Sequence, residues 1–343
     1  MDQALGLPAT ALVADLGGTN ARFAIAELAT LALSQVMQFP CTSHRGPDAA
    51  IRSYLDQVGA RPTHASIAVA APVMGEEIVF TNSPWSFTTS TLCRDLGFEK
   101  ILVLNDFQAF ALALPELAPH ELCQIGGLAP QERGTKVAIG LGTGAGVAAL
   151  VWTPSGWIAV PSEGGHIAFA CHTAEDFALA ERLRADRTHL SVERVLSGSR
   201  VPDLYRAVAA SHGSSPEMLA PDEVLTRALA GTDPIAVETL GLFIRWFGSF
   251  TADAALMFGA RGGVYLGGGI APRILKLIRS GPFREAFEAK GRMRDYLASI
   301  PIYAVLAEYA TLRGAAIEAA LTFSPANNVK VNAALAPLRC AAP

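Results

Sequence analysis

Residues 10–27 read TALVADLGGTNARFAIAE. The first seven are apolar except for Thr10 and Asp15, the turn Gly17-Gly18-Thr19-Asn20 follows, and residues 21–27 alternate. An apolar run, a glycine turn and an alternating run predict strand, turn, strand. A similar opening recurs downstream. Lys136–Leu141 reads as a strand, Gly142-Thr143-Gly144 as a turn, and Val147–Trp152 and Trp157–Val160 as further strands. The duplicated opening predicts two related α/β domains.

Between the two openings, PDAAIRSYLDQVG (47–59) places Ile51, Leu55 and Val58 at helical spacing. Ser66–Ala71 and Ile101–Leu104 read as buried strands. Asp106 stands where the second of these meets a helix, Phe107–Leu114, which Pro115 ends. Residues 173–258 read as mainly helical, with Asp233-Pro234 as a cap and first helical position. A late strand, Gly263–Leu266, meets Gly267-Gly268-Gly269 and then a helix from about Ala271. A strand (Ile302–Leu306) and a helix (Leu312–Leu321) close the pattern, leaving a peripheral tail.

The 343 residues are long enough for about two domains. The chain is 51% hydrophobic and 17% charged, which excludes a disordered, highly charged protein. Its net charge of -4 excludes a strongly basic surface built for nucleic acid. Residues 137–162 carry no charge, but glycines and prolines interrupt them throughout, so they read as strands and turns, not as a membrane span. The opening MDQALGLPAT has no basic n-region, so no secretory signal is expected. The five cysteines form no CxxC pair and read as reduced thiols of a cytoplasmic protein.

Three glycine-rich turns follow buried strands: residues 14–19, 142–144 and 267–269. Glycine admits close approach of backbone amides to a polyphosphate, and Thr19 and Thr143 add hydroxyls. Asp15 beside such a turn suits Mg²⁺, held through water. No GxxxxGK[ST] occurs, so a P-loop is not expected. Gly140, Gly142 and Ala145 match a dinucleotide fingerprint, with Glu163 downstream, but that fingerprint needs a helix where a strand is predicted. Asn105 and Asp106 place an amide and a carboxylate at a strand end. The carboxylate can take a proton from an attacking hydroxyl, or it can merely cap the next helix. Ser162-Glu163-Gly164-Gly165-His166 and Glu193 supply further polar groups suited to a polyol. This is the inventory of a kinase acting on a small polyhydroxylated molecule.

Longer segments carry a resemblance: ALVADLGGTNARFAIAE, TNSPWSF, LNDFQAFALALP, GLGTGAGVAALV, PSEGGHIAFA, ERVLSGSRVPDLYRA, GGVYLGGGIAPRI and FREAFEAKGRMRDYLASIPIY. In this order they cover almost the whole chain up to Leu321, and the chain resembles the bacterial glucokinases of the non-ROK type. The resemblance implies a two-domain ribonuclease H-like (actin-like ATPase/hexokinase) α/β fold with an interdomain cleft. Residues 1–116 and 307–325 would form a small domain, 117–306 a larger helical one, and 326–343 a tail. It implies Mg-dependent transfer of the ATP γ-phosphoryl group to the 6-hydroxyl of D-glucose, the first step of glycolysis, by a cytoplasmic homodimer.

Asp106 would then be the general base. Asn105, Gly144, Glu163, His166 and Glu193 would hold the sugar. Ala14, Asp15, Leu16, Gly17, Gly18, Thr19, Gly142, Thr143, Gly144, Gly267, Gly268 and Gly269 would surround ATP. Ala14 and Ser162 stand where the family often has glycine. The zinc-binding cysteine cluster of ROK kinases is missing from the sequence. Two other classes remain open at this point: a sugar-binding regulator without catalysis, against which Asp15 and Asp106 argue, and an NAD-dependent oxidoreductase.

Overall fold

The structure is a computed structural model that describes residues 9–185 and 187–323. The expected tail, 326–343, lies outside the described residues. Thirteen strands are described: β1 Thr10–Leu16, β2 Asn20–Glu27, β3 Leu33–Pro40, β4 His64–Val69, β5 Glu77–Val79, β6 Ser86–Thr88, β7 Lys100–Asn105, β8 Leu122–Gly126, β9 Lys136–Leu141, β10 Ala145–Thr153, β11 Gly156–Ser162, β12 Gly263–Gly267 and β13 Ile302–Val305.

One sheet has the order β3-β2-β1-β4-β7 and another β11-β10-β9-β12-β13-β8. The first five positions of the two sheets repeat one connectivity, which is the duplication read from the two glycine turns. In the first sheet β1 runs antiparallel to β2 and parallel to β4, which is parallel to β7. In the second, β12 is parallel to both β9 and β13. β1 and β9 are buried along nearly their whole length, as central strands with both faces covered must be.

The chain divides into two compact units. One holds 9–118, 149–161 and 307–323 of the described residues, the other 119–148 and 162–306. Residues 149–161, which the resemblance assigns to the larger domain, group with the first unit.

In the first unit, Leu12, Leu16, Phe23, Ile51, Tyr54 and Ile67 form one core. The helix Pro47–Val58 starts on its proline and stops at Gly59, whose φ of 67° closes it in the left-handed region. The final helix, Ala310–Phe323, lies so close to the helix Asp106–Ala113 that a Cβ at Gly314 would fall on the Ala109 carbonyl. In the second unit the helix Pro234–Phe258 begins at Asp233, which accepts the Ile235 and Ala236 amides. It buries Phe243 and Phe247 in a core with Phe283 and Phe287.

Several elements depart from the sequence reading. The helix expected from about Ala271 begins at Leu275 and spans four residues; hydrogen-bonded turns occupy 268–274. Pro272 lies within that stretch, and its ring disfavours α geometry in the residue before it. β3, the β5–β6 pair, β8 and the helix Thr89–Leu96 were not anticipated.

Candidate active site

The first unit carries two clusters of the expected residues. At the end of β1, Asp15 faces Arg22 across the β1–β2 ladder, and its Oδ2 accepts from Arg22 Nη1 at 3.0 Å. Arg22 Nε donates to Gln38 Oε1 at 3.0 Å, and Gln38 Nε2 to Asn20 Oδ1 at 3.2 Å. This chain crosses three neighbouring strands and fixes the carboxylate beside the turn. Burial pushes the Asp15 carboxyl above its ordinary range, and the Arg22 guanidinium opposes that only in part.

Within the turn, Gly17 N donates to Asn20 O at 3.0 Å and Cys41 N to Thr19 O at 2.8 Å. A Cβ on Gly18 would lie 3.1 Å from the Asn82 carbonyl oxygen, so glycine there is partly a packing requirement. Ala14 and Leu16 are fully enclosed in the sheet. Of residues 14–19, only Gly17, Gly18 and Thr19 are therefore partly or fully exposed.

The second cluster lies at the end of β7. Asn105 caps the helix Asp106–Ala113: its Oδ1 accepts from Phe107 N at 2.9 Å and Gln108 N at 3.2 Å. Its Nδ2 donates to Ala71 O at 3.4 Å, which leaves one N–H of that amide. Asp106 is the first helical residue, and its Oδ1 also accepts the Phe107 amide, at 2.9 Å. The capping role that the sequence left open for Asp106 thus belongs to Asn105.

The second unit gathers the remaining residues. β9 runs into the turn Gly142-Thr143-Gly144 and β10 leaves it, the strand that a dinucleotide fingerprint does not allow at this point. Gly142 N is spent on Gly144 O at 2.8 Å. A Cβ on Gly142 would meet nothing within 4 Å, and neither its φ nor a neighbour demands glycine. The same holds for Gly269, whereas Gly268 has a φ of 81° and would press a Cβ into Leu141 backbone. Gly267 is a buried strand residue opposite Gly140.

Around that turn stand Glu163, His166 and Glu193. Glu193 Oε2 accepts from Ala145 N at 2.9 Å, which anchors the start of β10. Glu163 Oε2 is 3.8 Å from His166 Nε2 across the turn Gly164–His166. A Cβ on Gly165 would fall on the Ala145 carbonyl, so this glycine is what lets the Glu163 loop lie against β10. Burial, first, and repulsion from Glu193 raise the Glu163 carboxyl above its usual range, against the pull of His166. A carboxylate and an imidazole on one tight loop, with a second carboxylate at the start of the helix Glu193–Leu196, can accept and donate hydrogen bonds to several vicinal hydroxyls.

The sequence reading includes Ser197–Ser199 in the segment ERVLSGSRVPDLYRA but gives these three residues no role. Gly198 N donates to Gly142 O at 2.8 Å and Ser199 Oγ to Thr143 O at 3.0 Å. Its local signal in the sequence is a glycine between two serines, which by itself marks any turn.

Comparisons with known proteins identify the family. A family model described as glucokinase matches residues 12–322. A glucokinase of Neisseria meningitidis is 42% identical over 306 residues, covering 89% of this chain and 93% of the relative. The crystal structure of a glucokinase from an Antarctic psychrotroph aligns with a TM-score of 0.77 and 36% identity, over 90% of this chain and 98% of that one. At 19% identity and a TM-score of 0.61, a ROK-family glucokinase of Streptomyces griseus, solved with glucose and AMPPNP, shares the fold over 90% of this chain and 98% of its own. The fold is the α/β fold of the actin-like ATPase and hexokinase group, and on the family match and the identity to its relatives this chain belongs to the glucokinase family of sugar kinases.

Proposed function

We propose that this chain transfers the γ-phosphoryl group of ATP to the 6-hydroxyl of D-glucose, giving glucose 6-phosphate and ADP. The observation that carries the reading is the cluster in the second unit: Glu193 takes the Ala145 amide where the glycine turn ends, and the loop of Glu163 and His166 lies against Ala145 through Gly165. Carboxylates accept sugar hydroxyls through charge-assisted hydrogen bonds, and the turn admits phosphate oxygens close to the backbone.

Asp106 acts as the general base. It receives the proton of the 6-hydroxyl as that oxygen attacks the γ-phosphorus, while Asn105 offers its remaining N–H to a neighbouring hydroxyl. Gly144 contributes backbone to the sugar. Gly17, Gly18, Thr19, Thr143, Gly268 and Gly269 approach the nucleotide. Holding both reactants in line supplies much of the acceleration in such transfers.

Magnesium, when bound, neutralises charge on the phosphate oxygens. Among the described residues no group of three or more His, Cys, Asp or Glu side chains is placed to hold a metal. Mg²⁺ in nucleotide sites keeps several of its waters and takes few protein ligands. Asp15 is the residue that would contact this water shell, through Oδ1, since Oδ2 is engaged by Arg22.

The resemblance also supports a homodimer in the cytoplasm. Among the described residues no helix is long and apolar enough to cross a membrane. The test is ADP release measured across glucose, mannose, fructose and N-acetylglucosamine with MgATP. Turnover with glucose well above the others supports the reading. No ADP release with any of them overturns it.

A further inference from the structure

The segment Glu193–Ser199 holds the turn 142–145 at three points. Glu193 takes the Ala145 amide, Gly198 N donates to the Gly142 carbonyl, and Ser199 Oγ donates to the Thr143 carbonyl. The Ser199 proton is committed to that carbonyl, so the 3.1 Å contact with Ser197 Oγ has Ser197 as donor. Ser197 is buried and so anchors the exposed Ser199 hydroxyl. The fit is tight as well as bonded. A Cβ on Gly198 would lie 2.8 Å from Ile270 Cδ1 and 3.1 Å from Gly142 O, and Ile270 itself follows the turn Gly267–Gly269. Gly198 therefore keys one glycine turn to another.

We propose that Glu193–Ser199 is a mechanical link between the two substrates, with Ser199 as a positioning residue: sugar held by Glu193 fixes the nucleotide turn through Ser199, so glucose and nucleotide tighten each other. This rests on the assignment of the sugar to Glu193 and the phosphates to the turn 142–144. Glucose bound at Glu193 immobilises the segment from one end, and the hydroxyl of Ser199 passes that order to the Thr143 backbone. The coupling is reciprocal by thermodynamic necessity, so nucleotide must tighten glucose by the same factor.

The experiment is calorimetric titration with AMPPNP, with and without saturating glucose, and with glucose, with and without saturating AMPPNP. The proteins are the wild type, Ser199→Ala and Ser199→Thr. One hydrogen bond corresponds to about a two- to tenfold change in affinity. Ser199→Ala should lose that much of the mutual tightening, while its glucose affinity without nucleotide stays at the wild-type value. Ser199→Thr keeps the hydroxyl and should keep the coupling.

The proposal is overturned if Ser199→Ala couples the two ligands as the wild type does, or if it weakens AMPPNP equally with and without glucose. Gly142→Val separates this failure from that of the underlying assignment. Normal AMPPNP binding by Gly142→Val removes the nucleotide from the turn and takes the link with it. Lost AMPPNP binding by Gly142→Val, beside unchanged coupling in Ser199→Ala, retains the turn and removes only the link.

Discussion

Valine at position 142 should abolish most nucleotide affinity without harming the fold. A Cβ at Gly142 has no neighbour within 4 Å and needs no left-handed backbone, so the side chain enters open space. Stability should stay within about 0.5 kcal/mol of wild type, as for other unstrained surface changes. The turn's internal bonds, Gly142 N to Gly144 O and Gly198 N to Gly142 O, are backbone bonds that valine keeps. In the presence of phosphate the same side chain becomes an overpacked atom group, and such groups typically cost about 1–3 kcal/mol. That corresponds to roughly five- to 150-fold in the dissociation constant for AMPPNP. Titration calorimetry with AMPPNP and with glucose, beside a melting curve, reads all three quantities. Glucose affinity without nucleotide should be unchanged. An AMPPNP constant within twofold of wild type would refute the reasoning, because the space above Gly142 would then have no ligand in it. Gly18→Val is a poorer probe of the same idea: its Cβ would press on Asn82 backbone, so lost binding and lost packing would be confounded.

Two further outcomes follow from the polar contacts. Glu163→Gln should weaken glucose binding by about ten- to 100-fold, the worth of a charge-assisted bond, and should flatten its pH dependence. In the wild type, burial and Glu193 hold the carboxyl pKa above 4.5. The proton therefore returns at higher pH than on a free glutamate, and glucose affinity should fall on acidification before an ordinary carboxylate would titrate; titrations from pH 8 downward check this. Asn105→Ala should lower stability by about 0.5–2 kcal/mol through loss of the helix cap, whereas Asn105→Ser, which also caps, should recover most of it in denaturant unfolding.

The parts of the fold that were legible in the sequence are those where local pattern and burial agree. β1 and β9 are central strands, and their apolar runs stand out because both faces are covered. The repeated strand order of the two sheets was foreshadowed by the repeated turn. β3 escaped notice because it is an edge strand: LSQVMQFP is only half buried, and its register with β2 shifts beside Phe23. The stretch after Gly269 looked helical in composition, yet Pro272 and the turn bonds of 270–274 delay the helix to Leu275.

Site residues were legible by type and not by contact. Glu163, His166 and Glu193 could be named as polar groups in glycine-rich surroundings, but their approach depends on Gly165 lying against Ala145. Periodicity carries no trace of such a packing contact. Asn105 and Asp106 were read as a pair, and only the coordinates divide their roles. The amide oxygen accepts both Phe107 N and Gln108 N and so makes the cap, while the carboxylate shares only the Phe107 amide. Ser199 was invisible because its role is a bond to the Thr143 carbonyl, 56 residues away in sequence.

The central claim, that Asp106 is the base, is tested most directly by the turnover of Asp106→Asn with glucose and MgATP. Asparagine preserves the shape of the side chain and keeps an oxygen that can accept the Phe107 amide, and Asn105 still caps the helix. Stability and glucose affinity should therefore change little. Loss of a general base typically costs about 10²–10⁴ in rate, and turnover should fall by that factor. A variant that turns over within threefold of wild type would contradict the account, because the proton of the attacking hydroxyl would then be leaving by a route that does not involve Asp106.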